Sequence, residues 1–205
     1  MSTPPAQTRT ERRRARTRQN LTAAGRELIA EKGVAGLRIQ DITERADVAM
    51  GSFYNYFQTK DDLVDAVVAE TLEELARTSV QSDDESQDPA YGVARAARRI
   101  VRLAFDDPGF ARLLINLNHA GPLFEHAMYP YARALVDRGI ESGRFSTPDV
   151  DLMLNLIIGG SLSLIRGIVD GNFGEGTEVT HAEVVLRALG LDAADAAHVS
   201  RASVI

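Results

Sequence analysis

Apolar residues in this chain recur at helical spacing from end to end. Nowhere do they alternate over four to eight residues between turn signals, as a half-buried strand would require. The fold class that follows is all-α. In residues 18 to 32, Leu21, Ala24, Leu28 and Ile29 share one face, and Gly33 follows Lys32 as a helix stop with a cation in the last turn. Ile39, Ile42 and Ala46 stand at i, i+3 and i+7, a helix of about two turns. Asp47 then falls where the chain has to turn, and aspartate tolerates the left-handed conformation better than most side chains. Helical spacing resumes at Met50, with Phe53 and Phe57 on one face. Thr59 offers an N-cap, with Asp61 and Asp62 in the first turn of a longer helix from Lys60 to about Thr78.

The segment "SVQSDDESQDPA" at 79 to 90 is polar, acidic and ends near a proline, the composition of a linker. Beyond it the pattern predicts helices at about 90 to 106, 108 to 118, 121 to 143, 148 to 171 and 180 to 190, nine in all. Pro130 should break or kink the third of these. Thr147, Pro148 and Asp149 form a start signal, Thr180 with Glu183 reads as a capping box, and Gly143, Gly171 and Gly190 stand where helices end.

Composition narrows the chemistry. With 44% apolar and 25% charged residues the chain is ordinary globular material, and the absence of cysteine removes disulfides, thiolate metal sites and cysteine nucleophiles. The longest apolar stretch, 152 to 165, is interrupted by Asn155 and two serines and is too short to span a bilayer, so no membrane partner is expected. The polar, arginine-rich start lacks a secretory apolar run, and a cytoplasmic location follows. Histidines at 119, 126, 181 and 198 lack the pairing of a metal site. There is no phosphate loop or nucleophile elbow either, so neither catalysis nor a cofactor or metal is expected.

Charge is divided unevenly. Residues 1 to 60 hold eleven Lys and Arg against six Asp and Glu, a balance of +5, while the rest hold twelve against twenty-three, a balance of −11. A basic head on an acidic body places any polyanionic partner at the head. Six arginines lie between 9 and 18, including Arg12, Arg13, Arg14 and Arg16, and residues 1 to 15 read as a flexible arm. The same charge division would also suit a nonspecific DNA-packaging or membrane-surface helical protein.

Two short helices across a tight turn, the second bearing polar and aromatic groups, make the helix-turn-helix arrangement that reads double-stranded DNA, here over residues 38 to 57. Phe53 and Phe57 can point inward, leaving Ser52, Tyr54, Asn55 and Tyr56 to face out with groups able to bond a phosphate or a base edge. The competing arrangement is a buried cluster of all four rings.

The run "GVAGLRIQDITERADVAMGSFYNYFQTKDDLV" resembles the DNA-binding region of the TetR family of transcriptional regulators, closely over about 16 to 75 and loosely beyond. The resemblance implies a DNA-binding domain at 16–75 and a ligand-binding and dimerisation domain at 76–205. It further implies that Gln40 reaches DNA, Ser52 meets the backbone or a thymine methyl, Tyr54 and Lys60 bond phosphates, and Tyr56 packs against the backbone. Asn55 occupies the family's variable position and becomes the candidate base reader, with adenine its natural partner. The arginine segment would follow the adjacent minor groove. Three positions depart from the family pattern: Asp47 for the turn glycine, Ala49 for a capping serine, and Thr43 for a small alanine.

In the body, the helix at 148 to 171 is apolar almost all round with Gly159, Gly160, Ser161 and Ser163 in its middle, which fits a self-paired interface and a homodimer, or else a monomer core. Apolar walls with a few polar groups line small-molecule pockets. Phe105, Phe110, Leu114 and Phe124 are candidate walls, with Met128, Tyr131, Asn118, His119 and Asn155. The resemblance implies that a small-molecule effector there, apolar or amphipathic, releases DNA and so relieves repression.

Overall fold

The computed structural model describes residues 9–80, 88–117 and 120–202, and all regular structure among them is helical. Ten helices follow in order: α1 Arg9–Lys32, α2 Ile39–Arg45, α3 Met50–Phe53, α4 Lys60–Val80, α5 Pro89–Asp106, α6 Pro108–Asn116, α7 Ala120–Glu141, α8 Val150–Val169, α9 Thr177–Ala188 and α10 Ala193–Ala202. The chain divides into two compact units between Val68 and Ala69. That division lies inside α4, whereas the resemblance implies a boundary near residue 75 and composition places a linker at 79–90. Residues 81–87 of the linker and residues 1–8 of the arm fall outside the described residues.

The first unit is built around Leu21, Leu28, Ile42, Phe53 and Leu63, each at most 1% exposed. Gly25 lets α4 come close to α1, because a Cβ there would meet the Leu63 side chain at 2.5 Å. On the surface Arg45 of α2 forks onto Glu31 of α1 at 3.0 and 3.1 Å and reaches Glu27 at 2.9 Å, while Lys32 bonds Asp41 at 3.0 Å. These exposed pairs set the orientation of α2 more than they add stability. Residues 9–15, read above as a flexible arm, are the first turns of α1. Arginine is a good helix former, so the segment can continue helix one instead of fraying from it.

In the second unit α5 is the central element and packs on α6, α7, α8, α9 and α10. Val101, Leu114, Phe124, Leu154, Ile165, Leu186 and Leu189, each at most 1% exposed, form its core. Three start signals use aspartate: Asp88, Asp107 and Asp149 accept from Ala90, Phe110 and Leu152 backbone N–H groups at 2.9, 2.9 and 3.0 Å. Helix α8 is apolar, but the chain covers only one side of it: Leu154, Ile158, Ser161 and Ile165 are buried while Leu152 and Leu156 are 57% and 61% exposed. At 20 residues, α8 is also long and apolar enough to cross a bilayer by length and composition, which the 14-residue stretch alone did not indicate.

Helix α7 continues through Pro130, which is exposed, so the proline removes one backbone bond without ending the helix. Three expectations are corrected. Helix α9 starts three residues before Thr180, capped by Gly176 in the left-handed region, and the buried Glu178 carboxylate accepts from Gly176 N–H at 3.0 Å. Thr180 instead bonds the Gly176 carbonyl, so no capping box with Glu183 starts this helix. The 148–171 helix begins two residues later, at Val150, with Asp149 as its cap. A tenth helix, α10, follows the nine anticipated, with Asp192 accepting from Ala194 and Asp195 N–H at 2.9 Å each.

Asp47 has φ of 53°, the left-handed conformation that the turn signal anticipated, and is the single non-glycine residue with positive φ among the described residues. An L side chain is strained there and glycine is not. Asp47→Gly is therefore expected to stabilise the protein by about 0.5–1 kcal/mol, read as a higher urea midpoint with unchanged slope.

Candidate nucleic-acid interface and ligand cavity

The turn between α2 and α3 is short and bonded throughout: Ala46 N–H to Ile42 O at 2.9 Å, Asp47 N–H to Glu44 O at 3.2 Å and Val48 N–H to Thr43 O at 3.0 Å. Thr43, departing from the family's alanine, is buried with its hydroxyl donating to Gln40 O at 3.0 Å, so its polar atom is satisfied. Ala49 makes no side-chain cap on α3. Helix α3 spans only Met50–Phe53 and continues as turns, Tyr56 N–H and Phe57 N–H both bonding Phe53 O at 2.9 and 3.0 Å.

Phe53 and Phe57 are 0% and 4% exposed with ring centroids 5.7 Å apart, and the Arg18 guanidinium sits 5.3 Å from the Phe57 centroid. Tyr54 stacks edge-on to Phe53 at 5.5 Å and is itself 55% exposed. Asn55 is exposed, and Ser52 and Tyr56 are half-buried. Two rings are thus interior and the neighbouring phenol points outward, which excludes a buried four-ring cluster. Met50, 53% exposed at the start of α3, adds an apolar group to this surface that the pattern of polar residues does not signal.

Gln40 and Lys60 already have partners. Gln40 is exposed and donates to Glu44 at 2.8 Å; Lys60 donates to the Val34 carbonyl at 3.2 Å, one of three ammonium protons. Lys60 opens α4, where Thr59 Oγ1 accepts from Asp62 N–H at 3.1 Å and Asp62 accepts from Thr59 N–H at 3.0 Å, a reciprocal cap. Arg12, Arg13, Arg14 and Arg16 are exposed on α1.

The second unit holds a cavity of about 80 Å³ walled by α5, α7, α8 and α9 together with Ala76 of α4. Of the candidate walls, Phe124, Met128 and Tyr131 line it. Its room comes from Ala96, Ala97 and Ala132, small residues that leave space between large ones. Leu114 is core packing and lies outside the wall, as do Phe105 and Phe110, both half-buried. Asn155 is exposed and borders a separate surface groove with Gly121, Pro122 and Gly159. Asn118 and His119 fall outside the described residues. A polar feature of the cavity has no counterpart among the candidate residues: Ser161 lines it, and its Oγ lies 3.0 Å from Nε2 of the buried His181.

Residues 21–67 match the profile of the bacterial regulatory proteins of the tetR family, and residues 88–202, more than half the chain, match the tetracyclin repressor-like C-terminal domain. The chain belongs to the tetR family. Its family fixes the class: a DNA-binding transcriptional regulator that responds to a ligand. The chain is similar to RolR, solved with the ligand resorcinol, at 31% identity and TM-score 0.79, covering 95% of this chain and 97% of that one. It is 41% identical over 61 residues to the transcriptional repressor DhaR of Mycobacterium sp. (strain GP1), covering 30% of this chain and 31% of DhaR. With the repressor NemR of Escherichia coli (strain K12) the identity is 38% over 45 residues, 22% and 23% of the two chains. The match thus spans less than a third of the length of these two curated relatives.

Within the tetR frame, the two matched segments coincide with the two places just described, the braced turn and the cavity-bearing bundle. Burial lowers the His181 pKa to about 4 from an ordinary 6.5. Between these values the unfolded chain takes up a proton that the folded imidazole refuses. The stability that the neutral ring contributes is therefore complete above about pH 6.5 and is lost as pH falls toward 4, by up to about 1.4 kcal/mol per pH unit. The urea midpoint should drop more from pH 7 to pH 5 in the wild type than in His181→Gln, and an equal drop in both would place the imidazole in water.

Proposed function

We propose that this tetR-family chain is a cytoplasmic repressor. As a homodimer it holds a palindromic operator through two copies of the 38–57 segment, and it lets go when a small apolar or amphipathic molecule occupies the cavity of the second unit. The observation that carries the reading is the outward Tyr54 and Asn55 beside the buried Phe53 and Phe57, a rigid polar surface on a helix-turn-helix. Repression is supported by the likeness of a 61-residue and a 45-residue stretch to DhaR and NemR, both repressors, and a ligand-operated cavity by the likeness to RolR, which was solved with resorcinol. Helix α4 belongs to both units, and Ala76 on it lines the cavity, so an occupant that shifts this wall acts on the helix whose first turn completes the head.

In this reading Tyr54, Ser52, Tyr56 and the second and third protons of Lys60 meet phosphates, Asn55 reads a base edge, and Gln40 exchanges its Glu44 bond for DNA. The arginines of α1 run along phosphates flanking the site. Footprinting on genomic fragments should reveal a palindrome with half-sites about one helical turn apart. Asn55→Ala should relax the preference at one position of each half-site by about 1–3 kcal/mol, while Tyr54→Phe weakens binding to all sequences alike. Protection without sequence preference would instead mark a packaging protein.

Dimerisation is supported by the uncovered apolar stripe of Leu152 and Leu156 on α8 and Val184 on α9, the last 57% exposed, beside the small Gly159 and Ser163 that let a second helix approach. A charge in this stripe would be buried unpaired in the dimer. Leu156→Asp should shift the sedimentation coefficient from dimer to monomer at micromolar concentration with the helical content intact.

A further inference from the structure

The protons of the Ser161–His181 pair can be assigned by counting. Ser161 Oγ lies 2.8 Å from the Ile157 carbonyl, which only accepts, so the single hydroxyl hydrogen goes there. The 3.0 Å contact to His181 is then made by the imidazole, whose Nε2–H donates to Oγ. A serine oxygen accepts twice, and one lone pair is left. Ser161 lines the cavity, so that lone pair is a buried acceptor without a proton to give.

The rest of the wall fixes what can meet it. Among the described residues that line the cavity, only Tyr131 and Ser161 carry a hydroxyl, and none carries a charge. An anion would sit unpaired beside a lone pair, which burial penalises heavily. Tyr131 can donate or accept and so selects neither. At about 80 Å³ the space is about half that of an apolar cavity of roughly 150 Å³ that holds benzene, so a single small ring is the upper size and needs the wall to give way slightly.

We propose that Ser161, held as an acceptor by His181, is the specificity-determining residue of this cavity and admits small neutral molecules that carry a hydroxyl donor, phenols and compact cyclic alcohols. The inference rests on the reading that the cavity is the effector site, and the test separates the two.

Phenol and toluene have nearly the same shape, but toluene leaves water more readily. A cavity that is merely apolar therefore prefers toluene, and one that offers an acceptor prefers phenol. Calorimetric titration of the full-length protein is expected to show phenol binding at least about tenfold more tightly than toluene, the worth of one buried hydrogen bond on top of the transfer difference. Ser161→Ala should reverse the order. His181→Gln, whose amide nitrogen can stand in for Nε2–H, should keep it. Toluene preferred by the wild type overturns the inference while leaving the cavity as the effector site. Phenol still preferred by Ser161→Ala, or benzoate binding as tightly as phenol, also overturns it. Binding of none of the three removes the cavity as the effector site and the inference with it. The wild-type comparison decides even if a variant fails to fold.

Discussion

The head depends on the burial of two rings, Phe53 and Phe57. They are 0% and 4% exposed, and each fully buried aromatic ring contributes on the order of 2–3 kcal/mol relative to exposure. Their placement four residues apart turns one side of this helical turn inward and leaves Tyr54 and Asn55 on the exposed side. Helix α3 is only four residues long and has no side-chain cap, so its own hydrogen bonds could not hold it. The outward phenol and amide are positioned by what their neighbours bury, and the polar surface inherits the rigidity of the core beneath it.

A different constraint organises the second unit. Helix α8 is apolar over nearly its whole circumference, and the folded chain covers one side: Leu154, Ile158 and Ile165 lie in the core while Leu152 and Leu156 stay outside. The covered side meets α5 and α7, where Ala96, Ala97 and Ala132 are too small to fill the gap. An interior normally packs to the density of an organic crystal. Leaving about 80 Å³ open in an otherwise dense bundle forfeits contacts that an occupant can restore, which is how a cavity becomes a binding site. One helix thereby carries a wall of the cavity on one side and an uncovered stripe on the other.

The legible parts of this chain were those fixed by local chemistry. Gly33, Gly143, Gly171 and Gly190 all take positive φ, as does Asp47, because helix ends and tight turns demand a conformation that few residues accept. Burial of Phe53 and Phe57 followed from helical spacing. What could not be read was set at long range. Helix α10, "AADAAHVSRA", has short side chains that give a weak periodic signal, and only Asp192 announced it. The cavity wall was sought among large aromatic residues near 105–131, yet Phe105 and Phe110 are elsewhere and the space is made by alanines. A void is defined by what is missing from facing helices, and no single segment records that. The Ser161–His181 bond joins residues twenty apart on different helices, beyond the reach of any motif.

The helical state of residues 9–18 changes what their arginines can do. An extended arm is narrow enough to lie in the minor groove, about 6 Å wide in B-DNA, but an α-helix with its side chains is about 10–12 Å across. While α1 stays helical from Arg9, its backbone cannot follow that groove, and on the proposed reading its charges would meet the duplex from outside, at phosphates. Contacts of that kind add affinity and salt dependence without adding sequence preference. Under the proposed reading, discrimination would then rest on the third-helix surface, and the arginine run, the most conspicuous charge feature of the chain, would contribute attraction that does not depend on sequence. The acidic remainder, at −11 over residues 61 to 205, would repel the same polyanion, so on that reading the two charge blocks would orient the molecule before any base is read.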